Sequence, residues 1–338
     1  MTVATKTETA LRIEDLTVSL NRPDGTRVPV VEGVSLSLAR GEVMGLVGES
    51  GCGKSVTAQA VMGVLSGNMQ ITGGRIWLGD KEMTAMPERA LRQLRGRDIA
   101  MIFQDPMSSL NPLITIGKQI AETLIIHGIA NRRTARARAL DLLKLVRIPS
   151  PEARMDEFPH RLSGGMRQRV MIAIALACDP AVLIADEPTT ALDVTIQRQI
   201  LSLLGELQDK LGVAVLMITH DFGVVREFAD RVTVMYAGKV VEQAASDRLF
   251  ADPRHPYSRK LLAAMPHFSR EVTEADRARL VEIPGIVPPI GQRPAGCNFN
   301  PRCDRATELC GTREPVTEPC GPSHTVACFH HGEPDAAH

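Results

Sequence analysis

The stretch Gly48-Glu49-Ser50-Gly51-Cys52-Gly53-Lys54-Ser55 is a complete G-x-x-x-x-G-K-S phosphate-binding loop. The run before it, Glu42-Val43-Met44-Gly45-Leu46-Val47, reads as a short buried strand, and residues 56–65 after it read as a helix. Strand, glycine loop and helix are the context this motif needs. Glycines let successive backbone N–H groups turn inward on a phosphate where a Cβ would obstruct them. The helix N-terminus adds unpaired amides and the positive end of its dipole. Lys54 then neutralises the terminal phosphates, and the Ser55 hydroxyl ligates Mg²⁺. A bland glycine turn would need neither the Lys-Ser pair nor the flanking strand. The ligand class is therefore a nucleoside triphosphate, and residues 48–56, Val56 included, are its expected cradle.

Composition sets the outer bounds. At 338 residues the chain is long enough for two domains, one with a substantial core. Lys+Arg and Asp+Glu both number 39, so no net field argues for nucleic acid as a partner. No run of eighteen apolar residues occurs, and the polar start, Met1 to Ala10, lacks a signal-peptide core. The expectation is a soluble protein that meets a membrane only through a partner. Five of the seven cysteines lie beyond residue 296. In a reducing compartment such a cluster suggests a metal before it suggests disulfides.

Working outward from the loop, residues 11–20 and 28–38 alternate apolar with polar, as antiparallel strands joined by the Pro23-Asp24-Gly25 turn would. Residues 73–79 look like another short strand. Apolar spacing becomes helical over 116–146 and again over 163–177. Residues 181–185 form an apolar strand, 194–211 a helix and 213–218 a further apolar strand. Short buried strands alternating with helices predict an α/β core with a parallel sheet, a mixed sheet once the antiparallel part is added. The helical block at about 105–165 reads as an inserted subdomain. Past residue 252 proline and glycine density rises, which places a boundary between a domain over 1–252 and a small Cys-rich domain over 253–338. No internal repeat is present, so a single nucleotide-binding unit is expected, not a tandem pair.

Four further segments narrow the reading. Val182-Leu183-Ile184-Ala185-Asp186-Glu187 is an apolar strand ending in two acids. Beside a phosphate loop, Asp186 would hold the Mg²⁺ shell and Glu187 would orient and deprotonate the attacking water. Taken alone, it is also a strand with an acidic turn. Leu162-Ser163-Gly164-Gly165-Met166 opens a helix with a hydroxyl and bare amides, either a second anion site or ordinary N-capping. Gln104 and His220 each follow an apolar strand, at the end where α/β sheets put their ligands, though a lone Gln or His there is more often structural.

Taken in order, the loop, Gln104, residues 162–166, Asp186-Glu187, Ala191-Leu192-Asp193 and His220 resemble the ATP-binding cassette (ABC) ATPase family over about residues 11–250. That resemblance implies the P-loop NTPase cassette fold and a head-to-tail dimer with two ATPs in its interface. Each ATP would lie between one subunit's loop and the other's Ser163-Gly164-Gly165. It further implies Glu187 as general base, His220 at the γ-phosphate and water, and Gln104 as sensor of Mg²⁺ and of the membrane partner. Asp193 would couple the two sites, and Mg²⁺ would be held through Ser55, Gln104 and Asp186. One position departs from the family: cassettes place an aromatic near the end of the first strand to stack on adenine, and here Leu20 stands there. Cys52 is at a variable loop position, either filler or a thiol whose pKa the neighbouring lysine and helix N-terminus lower.

The segment Ile99-Ala100-Met101-Ile102-Phe103-Gln104-Asp105-Pro106-Met107-Ser108-Ser109-Leu110-Asn111-Pro112 looks like the oligopeptide/dipeptide importer branch. So do His255-Pro256-Tyr257-Ser258-Arg259-Lys260-Leu261-Leu262, Ile283-Pro284-Gly285 and the cysteine segment. The branch implies a second homologous ATPase as heterodimer partner, two membrane permeases and an extracytoplasmic peptide-binding protein. It places the chain peripherally at the cytoplasmic face of the cell membrane, as the ATPase that drives peptide uptake. Glutathione, nickel chelates and related solutes are the alternative cargo, and a non-transport cassette protein is the alternative class. Thiolates at irregular spacing suit an iron–sulfur cluster or tetrahedral zinc, and zinc ribbons usually carry C-x2-C pairs absent here. By resemblance, Cys297, Cys303, Cys310 and Cys328 ligate a [4Fe–4S] cluster, with Cys320 extra to the family spacing. His324, His330 and His331 are substitutes for a ligand or else a solvated tail.

Overall fold

A computed structural model describes residues 8–105, 109–190, 192–265 and 283–332. Of the expected motifs, residues 106–108 and Ala191 lie outside the described residues, as do the first seven. Two sheets organise the chain. Strands β1 (Thr9–Asn21) and β2 (Arg27–Ala39) pair antiparallel, and β4 (Met69–Leu78) and β5 (Lys81–Glu82) extend them in the order β2-β1-β4-β5. The eight-stranded main sheet uses β3 (Val43–Val47), β6 (Ile99–Ile102), β7 (Val182–Asp186), β8 (Ala214–Thr219), β9 (Arg231–Tyr236) and β10 (Lys239–Ala245). Two tail strands, β11 (Glu318–Gly321) and β12 (His324–Val326), complete it, in the order β11-β12-β10-β9-β3-β8-β7-β6.

The five-residue apolar runs become central strands because both faces of this sheet are covered. In β3, Val43 and Val47 enter one core layer while Met44 and Leu46 enter the other. β7 splits likewise, Leu183 and Ala185 against Val182 and Ile184. Side chains alternate across a strand, so a strand buried on both faces reads as unbroken apolar sequence. Pairing is parallel from β9 through β3, β8 and β7 to β6, which sends all their C-terminal ends to one edge.

Helix α1 (Lys54–Met62) starts at the lysine and stops at Gly63 (φ 64°), earlier at both ends than the pattern over 56–65 predicts. The left-handed glycine ends it where an apolar Val64 and Leu65 prolong the pattern. After α2 (Glu88–Leu94), the helical stretch over 116–146 is two helices, α3 (Ile116–Ile126) and α4 (Arg132–Leu145). Asn131 restarts the chain by accepting from the Arg133 and Thr134 N–H groups. Ile116, Ile120 and Leu124 face Ala135, Ala139, Leu142 and Leu143 in the same core layer. Then follow α5 (Gly164–Ala175), α6 (Val194–Leu211), α7 (Phe222–Phe228) and α8 (Pro256–Ala263).

Past the expected boundary at 252 the chain returns to the main sheet. β12 pairs with β10 at Glu242↔Val326 and Gln243↔Thr325, and β11 closes a short hairpin on it. His324 is fully buried and donates from Nε2 to the Glu242 carboxylate at 2.8 Å. The reading of His324 as solvated tail or spare ligand is thereby corrected: burial and a carboxylate partner hold it in the sheet.

Candidate functional site

The parallel order β3-β8-β7-β6 puts four connecting segments side by side: the glycine loop after β3, His220 after β8, Asp186-Glu187 at the end of β7 and Gln104 after β6. In the loop, Gly48, Gly51 and Gly53 have φ of 149°, 79° and 103°. A Cβ on Gly48 would stand 2.2 Å from the Met235 carbonyl oxygen, so residue 48 must be glycine on two counts. Lys54 is buried, and its Nζ donates to the Gly48 and Glu49 carbonyls at 2.7 and 3.0 Å, drawing the ammonium across the loop. The Ser55 hydroxyl donates to Asp186 Oδ1 at 3.1 Å. Burial pushes the Asp186 carboxyl above its usual range, the Ser55 hydrogen bond offsetting part of this and Glu187 adding to it.

Glu187 sits at φ 45°, a conformation rare for a side-chain-bearing residue, fixed by its N–H bond to the Ile218 carbonyl at 2.9 Å. Its carboxylate collects three partners. Gln104 Nε2 donates to Oε2 at 2.9 Å, Thr190 Oγ1 donates to Oε2 at 2.8 Å, and His220 Nδ1 lies 3.2 Å from Oε1. Burial alone would raise this carboxyl, yet the Thr190 and His220 contacts hold it below the ordinary glutamate value. It is therefore ionised at neutral pH. Thr190 carried no sequence signal of its own, being a turn residue three positions after Glu187.

Ser163 and Asp193 serve their own helices: Ser163 Oγ accepts from Met166 N at 3.3 Å, and Asp193 Oδ1 from Ile196 N at 2.9 Å. A Cβ on Gly165 would meet Ile196 Cγ2 at 2.7 Å and one on Gly164 would meet Leu192 at 3.3 Å. Small residues here let the starts of α5 and α6 pack together, leaving Ser163 and Gly164 exposed. Cys52 is fully buried, and burial pushes its thiol up, which overturns the expectation of a lowered thiol pKa. Leu20 is half-buried between Val28 and Met69, an aliphatic surface where the family pattern has an aromatic.

In the tail, Cys297, Cys303, Cys310 and Cys328 line one small pocket with Phe299 and His330, while Cys320 lies apart in β11 against the His324 carbonyl. All are free thiols. Burial raises Cys297 and Cys303 and lifts Cys328 to about 11, the neighbouring cysteines adding to it. Cys310 is lowered, its burial outweighed by Thr307 and His330. Among the described residues, no group of three or more His, Cys, Asp or Glu side chains has the arrangement that a metal ion requires.

Two family descriptions match the chain: "ABC transporter" over residues 31–190 and "Oligopeptide/dipeptide transporter, C-terminal region" over residues 241–310. The oligopeptide transport ATP-binding protein AppD of Bacillus subtilis is 49% identical over 310 residues, covering 91% of this chain and 93% of its own. The dipeptide transport ATP-binding protein DppD of Escherichia coli is 50% identical over 286 residues, 85% of this chain and 86% of its own. Among solved structures, the ATP-binding cassette MJ0796, described as a dimer in a post-hydrolysis state with ADP and Pi, superposes with a TM-score of 0.62. It is 28% identical and covers 70% of this chain and 98% of its own.

Proposed function

The chain belongs to the family of ABC transporter ATPases, and on that premise we propose that it is the ATP-hydrolysing subunit of a peptide importer. The observation that carries the reading is the convergence of Glu187, Gln104 and His220 beside Lys54, Ser55 and Asp186 at one sheet edge. Residues 48–56 hold the phosphates, with Lys54 leaving its two carbonyls for the terminal phosphoryl oxygens. Glu187, kept ionised, takes the proton of the attacking water, and His220 and Gln104 orient that carboxylate toward the γ-phosphate. The serine hydroxyl, carboxylate and amide oxygens of Ser55, Asp186 and Gln104 form an all-oxygen donor set beside a buried acid, which suits Mg²⁺. When bound, Mg²⁺ supplies charge neutralisation at the β- and γ-phosphates.

Ser163, Gly164, Gly165 and Asp193 present the face that meets the ATP of a second cassette. The exposure of Ser163, Gly164 and Asp193, over a buried Gly165 packed on Ile196, supports this reading, as does the dimer described for MJ0796. The partner is a second homologous ATPase, and the pair sits beneath two permeases served by an extracytoplasmic peptide-binding protein. Among the described residues no helix is long and apolar enough to cross a membrane. Phe103 beside Gln104, Ile125 and Ile126 on α3, and Leu113 and Ile129 in the segments that flank it are exposed apolar side chains. They support docking of a permease there, and hence a place at the cytoplasmic face of the membrane.

The four pocket cysteines hold a [4Fe–4S] cluster in this reading. The convergence of the four thiols on one pocket supports it. Such a group, when bound, supplies a cross-link for a tail with little core of its own. Iron and acid-labile sulfide in the anaerobically purified protein test it; zinc without iron would overturn it. For the transport role, cells lacking the chain should lose uptake of labelled oligopeptides. Wild type should restore uptake and Glu187→Gln should not. Undiminished uptake in the deletion would refute the assignment.

A further inference from the structure

The chain has only two tyrosines, and both are fully buried together, behind the phosphate loop. Tyr236 packs on Tyr257 and Phe299 with ring centroids 4.7 and 5.1 Å apart, and Tyr257 lies 5.3 Å from Phe299. Into this cluster comes Arg302, from the turn that also carries Cys303. Its side chain is 4% exposed. It grips the Glu49 carboxylate with both arms, Nη1 to Oε2 at 2.7 Å and Nη2 to Oε1 at 2.9 Å. Nε donates to the Pro284 carbonyl at 2.9 Å, and the remaining N–H groups reach the Ile283 carbonyl at 3.1 Å and the Tyr236 hydroxyl at 3.4 Å. All five donors of the fork thus have acceptors. The Arg302 carbonyl in turn accepts from Lys260 Nζ at 2.9 Å.

Glu49 is consequently fixed at three points. Its side chain is held by Arg302, its N–H donates to the Tyr257 hydroxyl at 2.8 Å, and its carbonyl accepts from Lys54. Two of those three anchors come from beyond residue 252. A loop with three glycines at positive φ has much conformational freedom to lose when it closes on a phosphate, and a partner that orders it in advance removes part of that loss. We propose that Arg302 is a positioning residue of the phosphate loop, acting through Glu49. The C-terminal segment then completes the ATP site of its own subunit. This rests on the reading that residues 48–56 hold the phosphates.

Since the clamp touches the loop and not the reacting atoms, its loss should weaken ATP binding and leave the chemical step. Arg302→Met and Glu49→Gln should each raise the ATP Kd, by calorimetric titration, and the KM roughly tenfold, the scale at which loss of a supporting shell costs a bound ligand. For Arg302→Met, which lies outside the loop, the rate at saturating ATP should stay within about threefold of wild type. The double variant should be no worse than either single one, and Arg302→Lys should recover little, because an ammonium cannot make the two-armed grip. The proposal is overturned if folded Glu49→Gln binds ATP as wild type does. It is equally overturned if kcat falls at unchanged Kd, or if the two losses add. Should Arg302→Met fail to fold, Glu49→Gln opens the same clamp from its less buried side. Lys54→Ala separates the premise: if that variant binds ATP normally, the loop reading fails, whatever Arg302 does.

Discussion

Replacing Glu187 with glutamine changes one atom of the carboxylate and tests whether its charge is the working part. The amide keeps an oxygen to accept from Thr190 and Gln104, which both address Oε2. Its NH₂ would face His220 Nδ1, which can accept in the appropriate tautomer. The backbone at φ 45° is tied by the Ile218 bond and does not depend on the charge. Folding should therefore survive. What is lost is a base held ionised by its neighbours, and general-base catalysis contributes about 10²–10⁴-fold, or about 3–5 kcal/mol of barrier. Steady-state ATPase assays should show that loss in kcat, with ATP affinity retained. With hydrolysis blocked, size-exclusion chromatography in ATP should reveal a dimer held by unspent nucleotide. An unchanged turnover number with normal ATP binding would refute the assignment of Glu187 as base.

Other outcomes follow from single contacts. Gly48→Ala must relieve a Cβ 2.2 Å from the Met235 carbonyl at a φ of 149°, so differential scanning calorimetry should register a loss of about 3 kcal/mol or more, with ATP binding abolished. Cys52, buried with a raised thiol, should resist N-ethylmaleimide in the native protein and label only after unfolding; mass spectrometry of the loop peptide reads this directly. Glu242 is buried, and though burial would raise it, the hydrogen bonds from His324 and from the Arg254 and His255 backbone N–H groups help hold its carboxyl below the ordinary value. A depressed acid stabilises the fold above its unfolded pKa and loses that contribution as pH falls through the folded value. Urea unfolding of Glu242→Gln should thus show a loss of roughly 3 kcal/mol at pH 7 and a shallower acid decline below the glutamate range than wild type.

The parts of this fold that are legible in sequence are those whose physics is local. Glycines at 48, 51 and 53 announce their backbone angles, and a doubly buried strand such as 182–186 cannot disguise its apolar run. Gln104 and His220 are ambiguous one at a time, and strand order removes the ambiguity, because β6, β7 and β8 are neighbours and their C-terminal ends must meet. Of the two readings of Cys52, the lowered thiol fails for a reason sequence hides, while filler stands: lysine and a helix N-terminus lower a thiol only if it keeps some solvent, and this one keeps none. β11 and β12 are four and three residues long, too short for a period-two signal, and are strands only because β10 offers an unpaired edge. The clamp on the phosphate loop is the extreme case. Glu49 and Arg302 stand 253 positions apart and share no pattern. Yet once the tyrosines and Phe299 bury the guanidinium, a carboxylate must meet it, since a cation sealed among aromatic rings without a partner would cost several kcal/mol. Burial, which sequence states only statistically, turns a surface glutamate of the loop into an anchored one.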